Sequence, residues 1–520
     1  MAKRVRRQKV GQPPKNGGAP PMLQAYDAVQ QAEKFRLAGK LDRAKSLCAG
    51  ALKLFPDYVA ALHTMGLILA DQTQYDRALD HLHRATMLNP DDRKVLIALS
   101  GVYLRLGSHQ MAARTLEQTL ETEPRDANIL VTLGEIYREQ KEYELAKRAY
   151  EEALDAEPQL RVAELGLVRN LLDIGALSEA ATIVERHIRE GSRALFLLYT
   201  LGQLPRSMVS LDATTLLEEA EPGDGKMSPD EFAAQLAFAK AAAFDKAGKH
   251  ESTWEQLQKA RRFKRGENNK SYQVHRQRHE PLLEIARSAP DNVAFTGNDF
   301  PDHPISLFIV GPSRSGKTSL ERLVGALPGV KRGYENPIVE NAVRRSFQTA
   351  GFPTRSFLTE LPPGLGDRFR EYYLGELSER AGPASVLTNT LPTRTEDAIR
   401  AAAEIPNARF VFIKRDLNDL TIRIFMRNYA SGNFHASNLA NIRDYLTWCH
   451  AMIDAMAEKL PQISRVISYE DMAADPVAAQ ALVADLCGLD PTGASVPQIG
   501  DDRGCGKPYV QQIEAAVAAA

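Results

Sequence analysis

Between Gly311 and Ser319 the chain reads GPSRSGKTS, set between the apolar run ISLFIV and the helix-like LERLVGAL. The stretch fits Gly-x4-Gly-Lys-Thr without a mismatch, a spacing that lets a backbone wrap an anion. Amide groups from Ser313 to Thr318 at a helix N-terminus form an anion nest, and Lys317 adds a full positive charge. The loop alone does not say whose phosphates it holds. A triphosphatase needs magnesium as well, commonly on an aspartate ending a neighbouring apolar strand. Here the run RFVFI ends instead in Lys414 and Arg415. Such a cationic strand end repels a divalent metal and attracts phosphate, which suits a nucleotide bearing a separate 3′-phosphate.

These groups need a scaffold that brings a loop and several strand ends to one edge. From Pro304 onward, short apolar runs alternate with helical segments: ISLFIV (305–310), SVLTN (385–389), RFVFIK (409–414) and RVISYE (465–470). Each is rich in β-branched or aromatic residues, the pattern of a parallel sheet covered by helices. Right-handed crossovers bring the strands' carboxyl ends together, where ligands bind in such sheets. Residues 300–520 are expected to form this α/β domain.

Much of the chain before that domain, in a sequence of 520 residues, reads as helical repeat. Pro56, Pro90, Pro124 and Pro158 follow one another at 34-residue intervals, as do Ala44, Ala78, Ala112, Ala146 and Ala180. Tyr103 and Tyr137 share the spacing, Gly66 and Gly134 lie two periods apart, and one column runs Gly39, Thr73, Gly107, Lys141, Gly175. Several columns in register define the tetratricopeptide pattern of helix, turn and helix, with proline ending the second helix. The expected solenoid spans residues 23–192, and its groove is the expected seat of a protein or peptide partner, the alternative being a spacer with no ligand. After Ser192 the period breaks, and a degenerate helical capping region is expected over 193–295, one helix opening on Ser228 with Glu231 at the capping-box position.

Composition narrows the classes. With 65 basic against 66 acidic residues, the chain as a whole is no polyanion or nucleic-acid binder. The exception is the stretch 1–22, with six cations, no acid and a Pro/Gly-rich end, read as a disordered basic tail. No run approaches the roughly 20 apolar residues of a membrane span. Cys48, Cys449, Cys487 and Cys505 are scattered without a Cys-x-x-Cys pair, which indicates neither zinc nor disulfides and fits a reducing cytoplasm.

The motifs in their order resemble the bacterial tetratricopeptide-repeat sulfotransferases, whose catalytic domain is similar to that of tyrosylprotein sulfotransferases. That family's PRSGTT loop, which binds the 5′-phosphosulfate end of 3′-phosphoadenosine 5′-phosphosulfate, is matched by SRSGKT, with Arg314, Ser315, Gly316, Thr318 and Ser319 as implied donor contacts and Lys317 in place of a threonine. Its strand-end arginine and the polar residues that follow it, which grip the 3′-phosphate, correspond to Arg415, Arg423 (where serine is usual) and Arg427. RVISYEDMAADP resembles its YEDL-x-x-DP, making Tyr469 the donor-contacting tyrosine, and Lys507-Pro508 matches its C-terminal lysine.

The resemblance implies a general base at Glu335, 21 positions beyond Arg314, and transfer of a sulfuryl group to an acceptor hydroxyl of a protein, glycan or small molecule without metal. The family's DKMP lysine is absent, Asn389 and Thr390 standing there, and Lys317 is the candidate to supply the missing charge. Two other readings stay open: a P-loop nucleoside triphosphatase or kinase using Lys317 and Thr318 with magnesium, and a nucleotide-binding scaffold that no longer catalyses.

Overall fold

The computed structural model describes residues 20–106, 108–122, 126–222, 227–263, 269–291, 293, 300, 302–390, 397–429 and 434–519. Most of the basic tail, Gly107 and Pro124 of the repeat columns, the middle of RRFKRGENNK and the Leu391-Pro392 of TNTLP lie outside these residues. The chain divides into two compact units between Asn170 and Leu171.

The first unit is a succession of antiparallel helix pairs, beginning with Pro21–Leu37 and Leu41–Leu54, then Val59–Asp71 and Tyr75–Leu88. Among the described residues, the alanine, proline and turn columns each have a structural job. Ala44, Ala78, Ala112 and Ala146 are wholly buried where paired helices approach closely. Pro56, Pro90 and Pro158 follow the second helix of a pair, which they cannot continue. Gly39, Thr73 and Lys141 occupy the turn inside a pair with φ of 72°, 59° and 63°, the left-handed conformation that ends a helix. At Gly134 and Gly166 an added Cβ would come within 2.7 and 2.4 Å of the Tyr150 ring. The two glycines are notches that admit a whole aromatic ring between neighbouring pairs.

The second unit is built on five strands, β1 Ile305–Val310, β2 Val330–Lys331, β3 Val386–Asn389, β4 Ala408–Lys414 and β5 Ser464–Ser468. They form one parallel sheet in the order β2-β3-β1-β4-β5. Alternation sends successive side chains to opposite faces. Leu307 and Ile309 pack with helices Lys317–Val324 and Pro476–Cys487, while Phe308, Val310, Phe410 and Phe412 pack with helices Ile338–Thr349, Gly366–Ala381 and Leu439–Lys459. The run RVISYE is strand only to Ser468, because Ser468 Oγ accepts from the Asp471 amide (2.9 Å) and starts the helix Tyr469–Ala474. The helix expected at Ser228 is present, and Ser228 Oγ accepts from the Glu231 amide at 3.2 Å. That helix and its partner His250–Phe263 share an apolar cluster with Leu420, Ile424, Leu446 and Ile513. The segment after the repeats is thereby part of the sheet unit's core.

Candidate functional site

The cradle leaves the end of β1 and opens the helix Lys317–Val324. Arg314 and Gly316 both have positive φ, 68° and 104°, and such alternation turns successive amides toward one point. Gly316 is required twice over, since a Cβ there would also lie 2.6 Å from the Tyr469 ring. Arg314 and Thr318 are exposed, Ser319 is half-buried and Ser315 is buried. Ser313 Oγ lies 2.9 Å from Tyr429 Oη. Lys317 is buried, and its ammonium donates to the carbonyls of Gly311 (2.7 Å) and Pro312 (3.2 Å). Burial lowers its pKa to about 8, against the raising influence of the Glu335 carboxylate.

Glu335 sits half-buried in the turn after β2, and its neighbours are bolted to the sheet. The Gly333 amide donates to Thr388 Oγ1 (2.9 Å) and the Tyr334 amide to Glu321 Oε1 (2.8 Å). Asn389 donates to Asn336 O (3.0 Å), and the Thr390 amide donates to Tyr334 O (2.9 Å). Asn389 and Thr390, which stand in place of the resembled family's lysine, thus brace the turn that carries Glu335. Glu321 is itself buried, and burial raises its pKa against the pull of Arg332.

At the end of β4, Arg415 ties three segments together. Its guanidinium donates to Arg314 O (3.1 Å), lies 4.0 Å over the Tyr469 ring and donates to Asp502 Oδ1 (2.8 Å). Arg423 reaches the same carboxylate, Nε to Asp502 Oδ2 at 2.9 Å. Tyr469 Oη is 2.6 Å from Asp502 Oδ1. Burial pushes Asp502 up, but Arg415 and Arg423 outweigh it and hold its carboxyl below the usual aspartate range. Burial and the same hydrogen bond to Asp502 raise the Tyr469 phenol.

Arg314, Lys317, Glu335, Arg415, Arg423 and Tyr469 are therefore brought to one edge of the sheet. Arg427 turns to Gln203 in the helix Leu195–Gln203, and Lys507 is exposed with its methylenes over Gly504. Asp502, Tyr429, Gln203 and Asp245, which lies 3.5 Å from Arg423, are site neighbours that sequence reasoning missed. Only DDRGCGK, an acidic pair beside glycines, carried any signal for Asp502. Ser315 Oγ and Arg415 Nε are buried without a hydrogen-bond partner among the described residues, as expected where a polar ligand completes the bonding. The donor set suits an anionic nucleotide: a backbone nest, one buried ammonium and two guanidinia. Among the described residues no cluster of three or more His, Cys, Asp or Glu could hold a metal ion, and no helix is long and apolar enough to cross a membrane.

Residues 304–492 match the family model described as "Sulfotransferase family". Tetratricopeptide-repeat models match residues 35–92, 69–134 and 127–160. A chicken (Gallus gallus) protein named protein-tyrosine sulfotransferase 2 is 23% identical over 194 residues, 35% of this chain and 51% of that one. An uncharacterised protein of Aquifex aeolicus is 21% identical over 285 residues, 49% of this chain. The chain spans 37% and 51% of the lengths of these two relatives. Among solved structures, a tetratricopeptide repeat protein of Parabacteroides merdae is 19% identical with a TM-score of 0.36, covering 48% of this chain and 96% of its own. A pilF protein of Pseudomonas aeruginosa is 13% identical with a TM-score of 0.33, covering 50% of this chain and 99% of its own.

Proposed function

Starting from a sulfotransferase-family domain that follows tetratricopeptide repeats, we propose that the protein transfers a sulfuryl group from 3′-phosphoadenosine 5′-phosphosulfate to an acceptor hydroxyl in the cytoplasm. The observation that carries this reading is the continuity of the cationic edge. Arg415 bonds the cradle through Arg314 O and stacks on Tyr469, which in turn abuts Gly316. One nucleotide with anionic groups at both its 5′ and 3′ positions fits such a paired arrangement. When bound, the donor supplies the sulfuryl group and departs as adenosine 3′,5′-bisphosphate.

The chain's own residues do the rest. The amides from Ser313 to Thr318, with Arg314, hold the 5′-phosphate. Arg415 and Arg423 hold the 3′-phosphate. Glu335 takes the proton from the acceptor hydroxyl as its oxygen attacks sulfur in line. Lys317 exchanges its carbonyl partners for the bridging oxygen of the donor and neutralises the charge that develops there as the sulfur–oxygen bond breaks. The repeats recruit the acceptor or a protein partner in their groove.

Calorimetry with adenosine 3′,5′-bisphosphate, beside ATP with magnesium, tests the reading. Metal-independent binding of the bisphosphate is expected. Magnesium-dependent ATP binding with turnover, and no affinity for the bisphosphate, would assign the loop to a triphosphatase instead.

A further inference from the structure

Asp502 has no role in the transfer scheme, yet its carboxylate is held by the cations assigned to the donor's 3′-phosphate. Arg415 Nη2 approaches Oδ1 at 2.8 Å, Arg423 Nε approaches Oδ2 at 2.9 Å, and Tyr469 Oη is 2.6 Å from Oδ1. Arg415 and Tyr469 hydrogen-bond the carboxylate and Arg423 forms an ion pair with it, so two guanidinia and a phenol surround one anion as they would a phosphate. The segment that carries Asp502 is anchored rather than draped. The amides of Gly504 and Gly506 each donate to the buried Asp419 carboxylate at 2.7 Å, and the thiol of the intervening Cys505 lies 4.0 Å from Asp419 O. A Cβ at Gly506 would come 2.5 Å from the Asn418 backbone, so the strap from Gly500 to Gly506 is seated against the start of the helix Leu417–Phe425. Two further carboxylates bear on the arginines, Asp419 at 3.7 Å from Arg415 and Asp245 at 3.5 Å from Arg423. Asp419 is committed to the strap amides and Asp245 also accepts from Tyr509 Oη at 2.8 Å. Asp502 is only partly buried, and of the three it is the acid that can turn away toward solvent.

We propose that Asp502 is a specificity-determining residue of the donor site, an internal anion that occupies the place of the 3′-phosphate and must be displaced by it. The inference rests on the sulfotransferase reading above and adds a consequence to it. A ligand with a dianionic 3′-phosphate competes with the carboxylate, whereas a ligand without that group, such as AMP, leaves Asp502 on its arginines. Competition of this kind lowers apparent affinity for the correct nucleotide and lets the arginines stay neutralised between turnovers.

The test is isothermal titration of the full chain, wild type and Asp502→Asn, with adenosine 3′,5′-bisphosphate and with AMP, each variant's melting temperature being recorded alongside. The expected result is roughly tenfold tighter bisphosphate binding by Asp502→Asn with AMP affinity within about twofold of wild type. Unchanged or weaker bisphosphate binding by a folded Asp502→Asn overturns the competition while leaving the donor reading intact. Bisphosphate binding to neither form overturns the donor reading and the competition with it. A crystal structure of the wild-type protein with the bisphosphate is a second test that needs no variant. The Asp502 carboxylate is expected to have left Arg415 and Arg423 for solvent, and its retention there with bisphosphate bound overturns the proposal.

Discussion

The two ends of the cationic edge neutralise themselves in different ways. In the cradle, the Lys317 ammonium rests on two neutral carbonyls, Gly311 O and Pro312 O. At the end of β4, Arg415 and Arg423 rest on a charged carboxylate. Exchanging a carbonyl for an incoming phosphate oxygen strengthens a hydrogen bond, because the charge-assisted bond is the stronger one. Exchanging one anion for another changes little unless the newcomer carries more charge or binds in more places. In the proposed transfer, Lys317 would therefore respond to charge that develops during reaction, and the strand end would select among ligands. Variants at Lys317 are expected to change rate and variants at the strand end to change affinity.

The largest expected effect is on rate. Glu335→Gln keeps the size of the side chain and removes the proton acceptor, so sulfuryl transfer is expected to fall by roughly 10² to 10⁴, with bisphosphate affinity nearly unchanged. A comparable loss in affinity would mean that Glu335 serves the binding end of the edge. Next, Lys317→Thr is expected to slow transfer about a hundredfold, on the order of 3 kcal/mol, while calorimetry still detects bisphosphate binding through the nest. Lys317→Thr combined with Thr390→Lys is expected to regain part of the rate, since Thr390 is bonded to the same turn that carries Glu335. An undiminished rate in the single variant would remove Lys317 from the reaction.

Arg415→Ala tests the other end. A charge-assisted contact is worth about 1.5–3 kcal/mol, so bisphosphate binding is expected to weaken about tenfold or more relative to AMP. Equal weakening for both nucleotides would make Arg415 a brace for the cradle through Arg314 O and no reader of the 3′-phosphate. The smallest effect concerns pH. Burial depresses the Lys317 ammonium to about 8, so the charge is present below that pH and is lost above it, the ordinary lysine value lying near 10.5. Between pH 7 and 9 the charged fraction falls from about nine-tenths to about one-tenth, and kcat/KM, which reports the free enzyme, is expected to decline accordingly. Lys317→Arg is expected to flatten that decline. The same shift has a stability consequence of defined sign. From pH 8 to 10.5 the folded state binds fewer protons than the unfolded chain at this site, so the unfolding free energy contributed by Lys317 rises with pH. Lys317→Met lacks that rise, which denaturation curves at the two pH values measure.

Sequence spacing located what repeats or is bounded by local chemistry. The turn column Gly39, Thr73, Lys141 and Gly175 was legible from its period of 34, and all four have left-handed φ although two are not glycine. The four longer strands were legible because each is an apolar run between helical segments. Strand β2 was not, since two residues, Val330 and Lys331, are too few to show a period. Tyr469 and Glu470 read as strand by composition, but the Ser468 cap decided for helix. Arg415 came from its place at the end of an apolar run, and Arg423 from the resembled family's motif. Asp502 could not, because an acid in a glycine-rich stretch says nothing of which cation it meets 87 positions away. Gln203 and Asp245 were hidden for the same reason, lying on helices read as capping elements only.

The joint between Arg415 and Asp502 also bears on how the protein acquires its site in time. Helix pairs such as Tyr75–Leu88 with Val59–Asp71 close over short loops, so the repeats are expected to form early and locally. The cationic edge has no local route: Arg415 meets Asp502 across 87 positions, and His250 meets Tyr509, seven residues beyond Asp502, across 259. Loop-closure entropy must be met before such contacts give any return. Refolding is therefore expected to proceed from a repeat region already protected against hydrogen exchange to a sheet edge that gains protection last, with nucleotide binding as its final and most sensitive reporter.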